Sequence, residues 1–202
     1  MRHIGARHSL STKHTKESKM NWKSMTPRLY LGIDPGPTVS GICLYHPVSM
    51  SPVCAEVMET ESVLSLLRTG NWHSHEIKDC AVIIEDIVSY GKTGATTIET
   101  AMKIGAMMEA CPCPVRRLSR PNVLGILCDN RTAKEAQAWA RLCQVHGCTP
   151  ETAKNRKGAP GRLPGVSSHA RSALALCVVA AAQDDPDSPL GRLVILPGTR
   201  RA

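Results

Sequence analysis

The chain has no phenylalanine, and aromatic residues make up 3% of its 202 positions. A core built from it must rest on Val, Ile, Leu, Ala, Met and Cys, small side chains that let helices lie close to a sheet. There is no apolar run of eighteen residues, which excludes an ordinary membrane span. The first thirty residues lack the apolar stretch of a secretory leader. The nine cysteines are odd in number, and Cys43, Cys80 and Cys177 lie inside apolar runs. That usage fits buried thiols in a reducing compartment rather than a disulfide framework, and points to a cytoplasmic protein. Cys111-Pro112-Cys113 and Cys143…His146…Cys148 lack the paired Cys-x-x-Cys spacing of a structural zinc site.

Positive charge is what the chain has in excess. The net charge is +8. Residues 1–28 hold seven Lys/Arg (Arg2, Arg7, Lys13, Lys16, Lys19, Lys23, Arg28) against Glu17 alone. Lys154, Arg156, Lys157, Arg162 and Arg171 form a second run without an acid. Such excesses suit a polyanion such as nucleic acid, although charge runs also serve as solvated surface.

The composition and length predict one α/β domain at 28–183, preceded by a disordered basic tail at 1–27 and followed by an extended C-terminal tail at 184–202. Strands are expected over Arg28–Asp34, Val39–Tyr45, Val53–Met58, Asp79–Glu85 and Pro114–Leu118. Helices are expected over Glu61–Arg68, capped by Thr60, and over Thr97–Ala110, Pro121–Cys128, Thr132–Val145 and Val166–Ala182. In the second helix Ile98, Met102, Ile104, Gly105 and Met108 are the candidate packing positions. A flexible basic loop is expected at 147–165.

The chemistry-bearing pattern begins at Leu31-Gly32-Ile33-Asp34-Pro35-Gly36-Pro37-Thr38-Val39-Ser40-Gly41. An apolar strand delivers one carboxylate, Asp34, into a glycine-rich turn; an Asp-Pro-Gly hairpin turn uses the same residues. Glu85 ends the central apolar run Cys80-Ala81-Val82-Ile83-Ile84. His169 opens the last helix, with Ser172 one turn on along the same face. Oxygen ligands from several elements are what Mg²⁺ requires, and two such ions can clamp both oxygens of a phosphodiester displacement.

Gly-Ile-Asp-Pro-Gly-x-Thr-x-x-Gly at 32–41, Ile84-Glu85 at a strand end, and Ser167-Ser168-His169-Ala170-Arg171-Ser172-Ala173-Leu174-Ala175 in a late helix resemble the RuvC family of Holliday-junction resolvases, above all its short phage-type relatives. The resemblance runs from about Leu31 to Ala180. It implies a ribonuclease H-like fold, a mixed central sheet with helices on both faces. It also implies two Mg²⁺ or Mn²⁺ ions per site, cleavage of branched DNA leaving 5′-phosphate and 3′-hydroxyl ends, a homodimer matched to the two-fold symmetry of a four-way junction, and a bacterial or phage-infected cell. Neither a membrane nor a small-molecule cofactor is implied.

Carried over by motif, Asp34, Glu85 and His169 are the catalytic metal ligands, with Ser172 standing where the family's last carboxylate usually lies. Asp86 adjoins Glu85, but alternation along a strand points it to the other sheet face. Tyr90 is the aromatic candidate for the junction wedge, and Lys92 and Thr93 beside it are candidate phosphate contacts. Arg131, Lys134, Lys154, Arg156, Lys157 and Arg162 complete the candidate nucleic-acid contacts, among cations that also include Arg116, Arg117 and Arg120. A junction binder weakened in catalysis by Ser172 and an RNA-processing nuclease of the same fold are the alternatives. Gly-Ile-Asp-x-Gly also opens sugar-kinase and actin-like phosphate loops, but those folds need two large lobes that 202 residues do not supply.

Removal of residues 1–27 is expected to lower DNA affinity mainly at low salt, because charge alone links that segment to the phosphates. An anisotropy titration across salt concentrations checks this. A salt-independent loss would instead give the tail a folded or catalytic role.

Overall fold

Alternation along the first strand sorts its side chains to two faces, and both faces are buried. The computed structural model describes residues 29–87, 94–155 and 161–195. Strand β1 (Leu29–Asp34) is followed by β2 (Val39–His46), β3 (Ser51–Glu59) and helix α1 (Thr60–Thr69). A two-residue hairpin, β4 (Asn71–Trp72) with β5 (His75–Glu76), leads into β6 (Cys80–Asp86). Then come α2 (Ala95–Ala110), β7 (Val115–Ser119), α3 (Arg120–Cys128), α4 (Glu135–Val145), α5 (Ser168–Asp184) and α6 (Pro189–Val194). The five long strands form one sheet in the order β3-β2-β1-β6-β7. The β1–β2 and β2–β3 pairs are antiparallel, and β1–β6 and β6–β7 are parallel. This is the mixed α/β sheet expected from the sequence.

Leu31, Ile33, Ile42, Leu44, Val82 and Ile84 pack against α1 and α2 on one face, with Val63, Leu67, Ile104 and Met107. Tyr30, Cys43, Tyr45 and Ile83 pack against α3, α4, α5 and α6 on the other. Helix α5 is the central element of that second layer, buried without interruption from Ala173 to Ala182. Its small side chains and two strand glycines allow the close approach. A Cβ at Gly32 would lie 2.2 Å from the Ala173 carbonyl oxygen, and one at Gly41 would lie 2.3 Å from the His169 carbonyl. All nine cysteines are free thiols, with Cys43, Cys143 and Cys177 fully inside. Among the described residues no helix is long and apolar enough to cross a membrane.

Several local expectations change. Thr60 is the first residue of α1 rather than its cap, and its hydroxyl is spent elsewhere, on the Gly36 carbonyl. Helix α2 turns Thr100, Ile104 and Met107 inward, leaving Ile98, Met102 and Met108 exposed at 52%, 70% and 37%. Apolar residues lie on both of its faces, so its periodicity does not choose one. The segment from Asp184 is not wholly extended. Ser188 caps α6 by accepting a hydrogen bond from Gly191 N at 2.9 Å, and Leu190 and Val194 are buried. The described ends of the 147–165 loop are pinned, with Ala153 and Leu163 buried and joined by a 2.8 Å backbone bond. Residues 1–28 and 196–202, and so the whole expected N-terminal tail and the end of the C-terminal one, lie outside the described residues.

Gly32→Ala is expected to cost about 1–3 kcal/mol, the usual penalty of overpacking, because its methyl meets helix backbone rather than a movable side chain. Thermal unfolding checks this. An unchanged melting temperature would mean that α5 stands further from the sheet.

Candidate active site

The turn after β1 is held by a closed set of hydrogen bonds. Gly36 N donates to Ser40 Oγ at 3.3 Å, and Thr60 Oγ1 donates to the Gly36 carbonyl at 2.9 Å. With the Thr60 hydrogen spent there, the 2.8 Å contact between Ser40 Oγ and Thr60 Oγ1 is donated by Ser40. Thr60 N donates to the Thr38 carbonyl at 2.9 Å. A Cβ at Gly36 would meet the Val39 carbonyl at 2.2 Å, so the turn requires glycine there. Asp34, at the end of β1, is thereby fixed at a rigid turn.

Parallel register brings the second carboxylate alongside. Ile33 pairs with Ile84, and one step further along both strands stand Asp34 and Glu85. Both point to the α5 face, and both side chains are only 13% exposed. Burial, and then the Asp34 carboxylate beside it, push the Glu85 carboxyl up to about 8, with Arg120 opposing the rise. Asp86 falls on the opposite face, as alternation requires, and pairs there with Arg117 at 2.5 Å.

Helix α5 begins over these strand tips. Gly41 gives its first turn room against β2. His169 Nδ1 lies 2.8 Å from Asp34 Oδ2. A carboxylate only accepts, so Nδ1 carries the hydrogen of this bond. Ser172, one turn on, accepts a hydrogen bond from Arg120 Nη1 at 3.1 Å. The same nitrogen lies 3.7 Å from Glu85 Oε1. Two links therefore tie α5 to the strand tips, His169 to Asp34 directly and Ser172 to Glu85 through Arg120. The sequence marks Arg120 only as one surface cation among several. Its position at the junction of β7 and α3, beside the strand that neighbours Glu85, was the available signal.

A cleft of about 360 Å³ opens over Asp34, Pro35, Glu85, Arg120, Pro121 and Arg131, and Asp86 lines it as well. Arg131 is exposed and donates to Asn122 Oδ1 at 2.9 Å, while Lys134 is exposed at the start of α4. Lys154 and Arg162 are exposed further along the chain. Tyr90, Lys92, Thr93, Arg156 and Lys157 lie outside the described residues. Among the described residues no three His, Cys, Asp or Glu side chains close a metal cage. What is present is an open pair of hard carboxylates, with Glu85 pushed up to about 8 first by its burial and then by Asp34. That donor set fits a single hard divalent cation that keeps part of its water shell.

Folding raises the Glu85 pKa, so the folded state favours the protonated form. Its stabilising contribution is whole below the ordinary glutamic range and is lost as pH rises through about 8. The metal-free protein is therefore expected to melt at lower temperature at pH 9 than at pH 6, and Glu85→Gln to flatten that slope. Parallel slopes for the two proteins would place the pH dependence elsewhere.

No family model matches the sequence, and no curated protein sequence matches it. Solved structures do. RuvC of Thermus thermophilus superposes with a TM-score of 0.54 over 77% of this chain and 95% of its own, at 16% identity. The same protein in complex with a Holliday junction substrate gives a TM-score of 0.54 over 76% of this chain and 93% of its own, at 17% identity. At such identity the likeness is one of architecture: this chain, with its mixed five-stranded sheet, has the ribonuclease H-like fold of RuvC.

Proposed function

We propose that this chain is a divalent-metal-dependent, structure-selective endonuclease that cuts branched DNA. The observation that carries the reading is the convergence of Asp34 and Glu85, on adjacent parallel strands, at one open cleft, with His169 of α5 hydrogen-bonded to Asp34. The fold shared with a protein solved on a Holliday junction supports the substrate class.

Asp34 and Glu85 would hold a Mg²⁺ or Mn²⁺ ion, which supplies charge neutralisation at the phosphate and lowers the pKa of bound water. His169 keeps the Asp34 carboxylate oriented through Nδ1–H, and its free Nε2 is suited to accept a proton from the attacking water. That water adds to phosphorus, the phosphorus–O3′ bond breaks, and the leaving oxygen takes up a proton as the 3′-hydroxyl. Arg131 lines the cleft, and the exposed Lys134, Lys154 and Arg162 are the further phosphate contacts in this reading. Residues Tyr90, Lys92 and Thr93 follow Glu85 directly in sequence and belong to the same proposed DNA contact.

A homodimer belongs to this reading, because a four-way junction presents two equivalent strands to be cut. The exposed row Ile98, Met102 and Met108 on α2 supports it as a surface that a second copy would cover. A cytoplasmic setting goes with nine free thiols. The contact of Ser172 with Arg120, rather than with a carboxylate, favours a second reading, a junction binder with weak cleavage.

The expected result with labelled four-way, flap and linear DNA and Mg²⁺ or Mn²⁺ is paired symmetric cuts in the four-way substrate. Asp34→Asn is expected to bind that substrate as tightly and to cut it at least 100-fold more slowly, the range seen when a catalytic electrostatic group is lost. Binding without cleavage by the unmodified protein would select the second reading, and normal cleavage by Asp34→Asn would overturn the site.

A further inference from the structure

The Ser172 side of the site already holds a cation that belongs to the chain. Arg120 Nη1 reaches Ser172 Oγ at 3.1 Å and Glu85 Oε1 at 3.7 Å, so its guanidinium stands between the second carboxylate and the α5 residue one turn beyond His169. A hydroxyl is a poor divalent ligand, because it brings no negative charge to offset the loss of the ion's water. It is a good acceptor for a guanidinium, which comes with five fixed donors and a pKa that keeps it charged.

Charge balance leads the same way. Asp34, Glu85 and Asp86 line the cleft, but Asp86 is already matched by Arg117, so the charges left to balance are Asp34, Glu85 once a bound cation ionises it, and one from a bound phosphodiester. One divalent ion and one guanidinium neutralise those three charges. Two divalent ions would leave the site positive even before Arg120 and the neighbouring Arg131 are counted. Asp86 does not alter the balance, since its charge is taken up by Arg117. Glu135, on α4, is committed to Arg171 at 3.3 Å, and Arg171 is stacked on Trp139.

We propose that Arg120 occupies the second cation position of this site, so that the chain works with one divalent ion and an arginine where two metal ions would otherwise stand. The inference rests on the endonuclease reading above. It makes Arg120 a group that faces the scissile phosphate from the Ser172 side and stabilises charge there without an exchangeable ion.

The test is metal stoichiometry on the full chain, read by the loss of the free Mn²⁺ resonance signal on titration, beside the Mn²⁺ dependence of four-way junction cleavage. The unmodified protein is expected to bind one Mn²⁺, with binding lost in Asp34→Asn, and to show first-order dependence of cleavage on Mn²⁺. Arg120→Gln is expected to keep the one-ion stoichiometry and the melting temperature, since its side chain is 46% exposed, and to cut about 100-fold more slowly. Arg120→Lys is expected to recover part of that loss. The double change Arg120→Gln with Ser172→Asp is expected to bind two Mn²⁺ and to cut with second-order dependence. Two ions bound by the unmodified protein, or second-order dependence of its cleavage, would overturn the role of Arg120 and leave the endonuclease reading standing. A double variant that still binds one ion would likewise overturn it. No Mn²⁺ bound at all would overturn both.

Discussion

Everything at the candidate site depends on one register. Strand β1 runs parallel to β6 with Ile33 beside Ile84, so the next residue on each strand is an acid, and the two acids are neighbours on one sheet face. Two carboxylates in that position repel each other and are poorly solvated. The apolar packing of Leu31, Ile33, Val82 and Ile84 on the opposite face holds them there. Sliding either strand by one residue would send one acid to the other face, so the hydrophobic pattern that fixes the sheet fixes the acid pair as well.

The second constraint is the distance of α5 from the sheet. Gly32 and Gly41 lie under it, and alanines line much of it, so the helix comes down far enough for His169 to touch Asp34. A chain without phenylalanine achieves density by close approach of backbones rather than by large side chains. The scarcity of aromatics and the reach of His169 are therefore two aspects of the same packing solution.

The sequence carried the strand ends and the carboxylates well, because a buried parallel strand is a continuous apolar run and an acid at its end interrupts that run. Alternation alone separated Asp86 from Glu85, and the Arg117 ion pair on the far face shows the result. Arg120 could not be assigned in the same way. Its acceptor, Ser172, is 52 residues away on another helix, and the strand–helix junction that sets it apart from Arg116 and Arg117 does not name that acceptor. Helix α2 misled because it is apolar on two faces. Helix α6 was missed although Ser188-Pro189 is an ordinary helix-start signal. The role of Thr60 was misplaced because a hydroxyl at a helix start usually caps its own helix, whereas here it ties a turn in a different part of the chain.

Helix α5 is at once the most deeply buried helix of its layer and the carrier of His169 and Ser172. In mechanical terms the site is mounted on the keel of the protein rather than on a hinged arm. Loosening of the core is transmitted to the site as misalignment, and the geometry at the strand tips has no soft joint to absorb it. Adaptation to new substrates must then come from the loops around the cleft, since the frame that holds the acids has little freedom to drift.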